Sequence, residues 1–335
     1  MKRCILVSLL SLAFALLLPP ALLRLLPARS AAPAAETLAP AESGDDLVRP
    51  GADESVTVSF LYDGKVRRLT LAEYLPGVLA GEMPAGFEPE ALRAQATAAR
   101  TFALFRERRG SPAHPGAAVC GDPACCQVWV DEETLRERWG EDYELCHARI
   151  LAAVADTDGA YLTYEGEPIL ACFHSSSAGQ TENSAAVWGA ALPYLVSVAS
   201  PETAGDVPDF VSTAEISPED FRETILAEYP GCSIRESLPP DWLGARTLDT
   251  GGRVASVRVG DVSVSGTKMR SLFGLRSACF TLEWTGHSFL FTVAGSGHGA
   301  GMSQYGANVM AREGKTWREI LAHYYPGTEL SSLTA

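Results

Sequence analysis

Apolar and polar positions alternate from Val56 to Tyr62 and again from Lys65 to Leu71, with Asp63-Gly64 between them. That pattern predicts a β-hairpin closed by a tight turn. A short helix is predicted from Leu71 to Gly81, followed by Glu82-Met83-Pro84-Ala85-Gly86-Phe87. Glu88 before Pro89 has the form of a second helix start, with proline at the first helical position and Glu90 suited to the positive end of the helix dipole. This helix extends to about Arg108. Its Ala91, Ala94, Ala98, Phe102 and Phe105 recur on one face, and so many alanines imply very close packing. Gln95 and Arg100 lie in the same segment and are expected to be at least partly buried. Further on, Pro168 to His174 reads as a buried strand ending in Ser175-Ser176-Ser177-Ala178-Gly179-Gln180. Residues 201–290 mix prolines, acids and short alternating strands such as Val254 to Val264, and are a candidate for a lobe of their own. A strand from Phe289 to Val293, a glycine-rich turn from Gly295 to Gly301 and a helix through about Glu313 close the pattern. Helices and short strands mix without regular alternation. The expected fold is therefore α+β, two-lobed around a substrate cleft, rather than a doubly wound sheet.

The amino end differs from the rest. After Lys2 and Arg3, the run from Cys4 to Leu23 has no charged side chain. That is close to the ~20 residues that span hydrocarbon as a helix. A cleaved signal peptide and an uncleaved single-pass anchor both fit. The length of the run favours the anchor, residues 1–26, although Pro19-Pro20 interrupt it. Residues 27–55 are rich in Ala, Pro, Glu and Asp and are expected to be a flexible tether. The globular region then covers 56–335, on the far side of the membrane from the cytoplasm.

Charge narrows the partner. The chain has 27 Lys+Arg against 41 Asp+Glu, a net charge of −14, and all four basic residues of the first 35 stand there without an acid. Nucleic acid binding rests on a basic face that neutralises phosphates, and no such cluster appears beyond Arg106, Arg108 and Arg109. Eight cysteines in 335 residues are too few for a disulfide-built miniature fold, so any cysteine role is local.

Several motifs invite chemistry and most fail. The GxG spacing in the glycine-rich turn lacks the βαβ context of a nucleotide site, and its glycines are better explained as letting a ligand approach the backbone. Ser265-Gly266-Thr267-Lys268 matches SxxK, but neither SDN nor KTG follows. No HExxH occurs. His114, Cys120, Cys125 and Cys126, by contrast, lie within thirteen residues in a Pro/Gly-rich loop. This borderline-soft donor set suits tetrahedral zinc, with His147 a weaker ligand candidate. A disulfide, Cys120 to Cys125 or a bridge to Cys146 or Cys172, is the competing reading. Glu82 stands out as a carboxylate among Gly81, Met83 and Pro84. An apolar setting raises a carboxyl pKa, as a general acid near neutral pH requires, though a solvated helix-end glutamate is the commoner occurrence.

Seven blocks then resolve the choice: Tyr74-Leu-Pro-Gly-Val-Leu-Ala-Gly-Glu-Met-Pro-Ala-Gly-Phe, Glu90-Ala-Leu-Arg-Ala-Gln-Ala-Thr-Ala-Ala-Arg-Thr-Phe, Cys126-Gln-Val-Trp, His174-Ser-Ser-Ser-Ala-Gly-Gln-Thr-Glu, Pro193-Tyr-Leu-Val-Ser-Val, Gly266-Thr-Lys-Met-Arg-Ser-Leu-Phe-Gly-Leu-Arg-Ser and Gly297-His-Gly-Ala-Gly-Met-Ser-Gln-Tyr-Gly-Ala. Together, and in this order, they resemble the stage II sporulation protein D family, as does Tyr324-Tyr-Pro-Gly-Thr near the end. The resemblance implies a peptidoglycan lytic transglycosylase with Glu82 as its catalytic acid and base. It would cut between N-acetylmuramic acid and N-acetylglucosamine in peptide-stripped strands, leaving 1,6-anhydro ends. The implied setting is septal wall degradation and engulfment in endospore formation, between mother-cell and forespore membranes. The implied partners are a cell-wall amidase that strips stem peptides and a membrane scaffold protein. Some family members bind zinc through a His/Cys cluster at the position of the cysteine loop, and because Glu82 can carry the acid and base steps, any zinc here is expected to be structural. Candidate substrate contacts are Gln95, Arg100, His174, Ser175, Ser176, Tyr194 and His298. For Gln95 and Arg100, tying the helix to a neighbouring loop is an equal alternative. Two rivals remain: a non-catalytic glycan-binding activator of a partner amidase, and a zinc-dependent hydrolase built on His114 and Cys120.

Overall fold

The computed structural model describes residues 47–111 and 113–334. The apolar run from Cys4 to Leu23 and most of the tether lie outside these residues. Among the described residues no helix is long and apolar enough to cross a membrane.

The hairpin forms as its alternation demands. β1 (Thr57–Tyr62) and β2 (Lys65–Thr70) pair antiparallel from Thr57↔Thr70 to Tyr62↔Lys65. Asp63 and Gly64 both take positive φ, 50° and 69°, as a two-residue turn of matching twist requires. Thr70 then starts α1 (Leu71–Glu82) with a full capping box: its hydroxyl accepts from Glu73 N, and the Glu73 carboxylate accepts from Thr70 N. Thr70→Ala removes one half of that exchange, and thermal denaturation should read a loss of about 1 kcal/mol.

Pro89 occupies the first position of α2 (Pro89–Arg109), whose buried small side chains include Ala91, Ala94, Ala96, Ala98, Ala99 and Ala103. Without bulk on these faces, α2 is surrounded closely on several sides. β3 (Val119–Cys120) runs parallel to β1. After α3 (Glu132–Trp139) come α4 (Tyr143–Ala155), β4 (Ala160–Tyr164), β5 (Glu167–Pro168), β6 (Phe173–His174) and α5 (Ser184–Trp188). Helices α1 and α4, strand β4 and the carboxyl-terminal α8 (Gln304–Arg312) and α9 (Trp317–Tyr324) pack on α2. β14 (Glu329–Ser332) joins β4 and β5 in an antiparallel sheet, β14-β4-β5.

A second hydrophobic cluster, Phe221 to Val293, is built from residues between these elements. β7 (Val211–Ile216), β11 (Phe280–Trp284) and β12 (Phe289–Ala294) form one antiparallel sheet in the order β11-β12-β7. β8 (Leu243–Leu248), β9 (Val254–Val259) and β10 (Val262–Ser265) form another, with α6 (Pro218–Glu228) and α7 (Gly266–Phe273) alongside. Phe221 stacks on Phe289 at 4.1 Å between centroids, with Trp242 a further 5.5 Å from Phe289. The fold is thus α+β.

Two boundaries differ from expectation. The segment Pro168 to His174 is not one strand: β5 ends at Pro168, and β6 starts at Phe173, pairing in parallel with β13 (Met302–Ser303). Between them local turns interrupt the ladder, with Ala171 N donating to Ile169 O and Cys172 N to Leu170 O, and tyrosine hydroxyls take part. Leu170 N donates to Tyr194 Oη at 3.3 Å, and Cys172 O accepts from Tyr325 Oη at 2.7 Å. The tether expected to run to residue 55 also ends earlier. Ala52–Ser55 form a helical turn in which Ala52 and Asp53 are buried. Asp158 docks it, accepting from Gly51 N at 2.7 Å and Asp53 N at 2.8 Å.

Candidate active site

Glu82 is the last residue of α1. Gly77 and Gly81, one turn apart, clear the helix face beside it: a Cβ on Gly77 would lie 2.5 Å from the Trp129 indole, and one on Gly81 2.8 Å from Val128 Cγ1. The bare face lets the segment Gln127–Val130 lie against the helix, so Val130 N donates to Gly77 O at 3.2 Å and Val128 N donates to Glu82 Oε1 at 2.7 Å. From the other side Gln304 Nε2 donates to Glu82 Oε2 at 3.3 Å. Burial raises the Glu82 carboxyl above its ordinary range, against the lowering effect of these two hydrogen bonds. Its place at the negative end of α1 also disfavours the anion.

Glu82 opens on a cavity of about 580 Å³, a usual size for a small-molecule site. Of the expected site residues, Glu82, His174, Ser175, His298, Cys125 and Cys126 line it. His174 Nδ1 faces Ala300 O at 3.3 Å and its Nε2 faces Ser177 Oγ at 2.6 Å, which places the ring proton on Nδ1. His298 Nδ1 accepts from Ala300 N at 3.1 Å. Burial lowers both imidazoles, His298 to about 4 with help from Arg270 and Arg253, so both are neutral near pH 7. Beneath the loop, buried Glu202 accepts from Ser177 N and Ser200 Oγ, each at 2.6 Å, and from Ser303 Oγ, holding the strand ends together.

Four expected contacts lie elsewhere. Arg100 is wholly buried: its Nε and Nη2 reach Asp53 Oδ1 and Oδ2 at 2.7 and 2.6 Å, and its Nη1 donates to Ala160 O at 3.0 Å. It ties α2 to the amino-terminal turn and β4, so it has no donor left for a glycan. Gln95 is equally buried within α2 and is not a cavity residue. Ser176 is buried in a bridge to Ser296, and Tyr194 lies beside Tyr164 with its hydroxyl on Leu170 N. The glycine-rich turn is also corrected. A Cβ on Gly301 (φ 72°) would lie 1.9 Å from Cys172 O, and one on Gly297 (φ 106°) 2.7 Å from His174 Cβ. The glycines chiefly admit the neighbouring protein backbone, although Gly297 does line the cavity.

Residues not proposed from sequence as site residues also line the wall, among them Phe102, Arg106, Gln127, Trp188, Arg270 and Gln304. Gln127, Arg270 and Gln304 fall inside recognisable sequence blocks, where a polar residue among apolar and glycine neighbours was the available signal. Trp188 carried none. Gln127 Oε1 accepts from Tyr74 Oη at 3.1 Å, while its buried Nε2 has no protein partner.

The cysteine loop adjoins this site. The donor atoms of His114, Cys120, Cys125 and Cys126 all lie within 4.8 Å of one another. Asp122 makes that convergence feasible: its carbonyl accepts from both Cys125 N and Cys126 N, and its side chain caps Ala124 N, folding a turn that brings adjacent thiols together. His114 Nδ1 faces Ala117 O at 2.9 Å, leaving the Nε2 lone pair towards Cys126 Sγ at 3.2 Å. Three thiols and an oriented imidazole fit a tetrahedral zinc site. Among the described residues all seven cysteines are free. His147 stacks on Tyr143 and is outside the cluster.

These features define the class that comparison finds. Residues 63–164 match the family model described as stage II sporulation protein. Stage II sporulation protein D of Bacillus subtilis is 38% identical over 298 residues, covering 88% of this chain and 84% of its own. That of Bacillus amyloliquefaciens is 39% identical over 279 residues, covering 83% and 78%. The amidase enhancer of Bacillus subtilis is 27% identical over 306 residues, covering 77% of this chain and 40% of its own. The chain belongs to the stage II sporulation protein D family, which acts in sporulation.

Proposed function

We propose that this protein is a peptidoglycan lytic transglycosylase of endospore formation. The observation that carries this reading is Glu82: a half-buried carboxyl with a raised pKa, held by two donors, and the single carboxyl group among the described residues that line its cavity. Hydrolysing glycosidases use two carboxyl groups, one as acid and one to activate water or act as nucleophile. A lone carboxyl suits an intramolecular route. Protonated Glu82 gives its proton to the glycosidic oxygen as the bond from muramic C1 breaks. The resulting carboxylate takes the proton of the C6 hydroxyl, whose oxygen closes on C1 to form the 1,6-anhydro ring. Attacking and leaving groups are then on one molecule, which supplies much of the needed proximity.

The rest of the proposal follows the same logic. The glycan lies in the cleft between the α2-centred body and the Phe221–Val293 cluster, with the Trp188 indole and the unpaired Gln127 amide available to sugar faces and oxygens. Residues 1–26 anchor the protein in the cell membrane, with the catalytic domain between mother-cell and forespore membranes. An amidase that strips stem peptides and a membrane scaffold are its partners. The likeness to an amidase enhancer favours a second reading, a glycan-binding activator without its own chemistry. Purified full-length protein incubated with peptide-free glycan strands separates the two: 1,6-anhydro ends support the enzyme, and their absence removes it.

A structural zinc held by His114, Cys120, Cys125 and Cys126 belongs to the proposal. Bound there, it would neutralise the thiolates and lock the loop whose continuation, Val128, holds Glu82. Burial otherwise pushes the Cys126 thiol up to about 12, so in the absence of a cation this thiol stays protonated. Metal analysis of the full-length protein should find about one zinc per chain, lost in Cys126→Ser together with thermal stability. A metal-free protein with two thiols missing from titration would replace zinc by a disulfide.

A further inference from the structure

Among the described residues two cations line the Glu82 cavity: Arg106, whose guanidinium lies over the Phe102 ring at 5.2 Å, and Arg270, which has no such cover. It projects from the last turn of α7, where Gly274 (φ 61°) turns the chain and lets Arg270 Nε donate to Leu275 O at 3.2 Å. That bond fixes the near edge of the guanidinium. The two Nη atoms have no hydrogen-bond partner among the described residues, and Arg270 stands in none of their ion pairs, in a chain with far more acids than bases. Its electrostatic neighbour is a second cation, the buried guanidinium of Arg253, which itself makes no hydrogen bond. The carboxylates of Glu182, Asp249 and Glu202 act on Arg253. His174 and His298 are neutral, and Glu82 is held towards its protonated form. Arg270 therefore stands in the cavity without a carboxylate paired to it. Beside Arg270, an adjoining recess of about 200 Å³ is lined by Trp188, Gly297 and His298, and Trp188 is 47% exposed with its ring 5.1 Å from that of His298.

We propose that Arg270 is a specificity residue that pairs with a carboxylate of the glycan, the free lactyl group of a muramoyl residue relieved of its peptide, while Trp188 supports the sugar ring next to it. A guanidinium offers two parallel N–H donors that match a carboxylate and pair with it more strongly than with a neutral acceptor. In a peptide-bearing strand the same carbon is an amide: its charge is gone and one oxygen is replaced by a substituted nitrogen. Arg270 then faces no anion, and a half-buried cation is desolvated without compensation. The cavity would thereby distinguish stripped from substituted glycan at the bond it cuts. This inference rests on the glycan-cleaving reading above.

The test compares peptide-free strands with the same strands after their lactyl carboxylates have been converted to methylamides. Wild-type full-length protein should lose about tenfold in kcat/KM on the amidated strands, mostly through KM, as expected for loss of a charge-assisted pair. Arg270→Gln should lose about as much on the free-acid strands and show no preference between the two, with Arg270→Lys intermediate. Equal use of both strands by the wild type, or a preference that survives in a folded Arg270→Gln, overturns the proposal. Binding of both strands to full-length Glu82→Gln protein reads the same preference without turnover. Absence of anhydro product on either strand, with the binding preference intact, would defeat the transglycosylase reading and leave the Arg270 assignment standing.

Discussion

Glu82→Gln is expected to lower the rate of 1,6-anhydro product formation by about 10² to 10⁴-fold, the usual worth of a general acid and base, without loss of stability. Glutamine keeps the acceptor for Val128 N, and the Gln304 amide can reverse to meet the new NH₂ group. The sign of the stability effect follows from burial. Because the folded-state pKa of Glu82 is raised, the folded protein keeps this proton over a pH range in which the unfolded chain has lost it. Stability from this group is complete below the ordinary carboxyl range and is lost as pH rises through the raised value. Glutamine carries no such cost, so the variant should melt at or above the wild-type temperature, most visibly at alkaline pH. Activity has the same directional dependence. The reaction begins from protonated Glu82, so the rate should fall as pH rises through its raised pKa. His298, at about 4, and His174, lower than an ordinary histidine, add no limb near neutrality. A Glu82→Gln protein that stays active, or one that loses activity and melting temperature together, would assign Glu82 to the scaffold.

Glu82 could be found in the sequence because its signal is local. The Gly-Glu-Met-Pro string ends a helix and surrounds a carboxyl with apolar groups, and the structure adds only the two donors that orient it. The His114–Cys126 cluster is local in the same sense, since thirteen residues of loop contain all four donors. Arg100 and Tyr194 were harder. Their polar groups make them look like ligand contacts, but their partners, Asp53 and Leu170, are 47 and 24 positions away. Periodicity along one segment does not report such pairings. Trp188 had the opposite difficulty: it is ordinary in its own short helix and gains meaning only where the fold brings it to the same cavity as Glu82, and Arg270, 188 positions after Glu82, is brought there in the same way. The hairpin, α1 and α2 were legible to within a residue or two. The apolar strand expected from Pro168 was not, because its backbone breaks into local turns at Ala171 and Cys172 and is held in part by the hydroxyls of Tyr194 and Tyr325.

Asp53→Ala should destabilise the protein by about 3–5 kcal/mol, the characteristic cost of stranding one member of a buried ion pair. Arg100 is fully buried and Asp53 nearly so, and the two make paired hydrogen bonds at 2.6 and 2.7 Å. Removing the carboxylate leaves a guanidinium in the interior with two carbonyl contacts, to Ala160 and more distantly Val154, and the Thr157 hydroxyl. Those dipoles do not replace a countercharge. The double change Asp53→Leu with Arg100→Met removes both charges and should recover most of the loss, since apolar replacement of a buried pair is often near neutral. Chemical denaturation of the three proteins measures the difference. The same pair governs where the folded unit begins. A fragment starting at residue 56, where alternation of the hairpin first becomes visible, lacks Asp53 and the Gly51–Asp53 backbone held by Asp158. It should be less stable than one starting at residue 45 by at least the amount lost in Asp53→Ala. Equal stability of the two fragments would mean that solvent reaches Arg100 once the turn is gone, and that the buried pair contributes little to holding α2 in place.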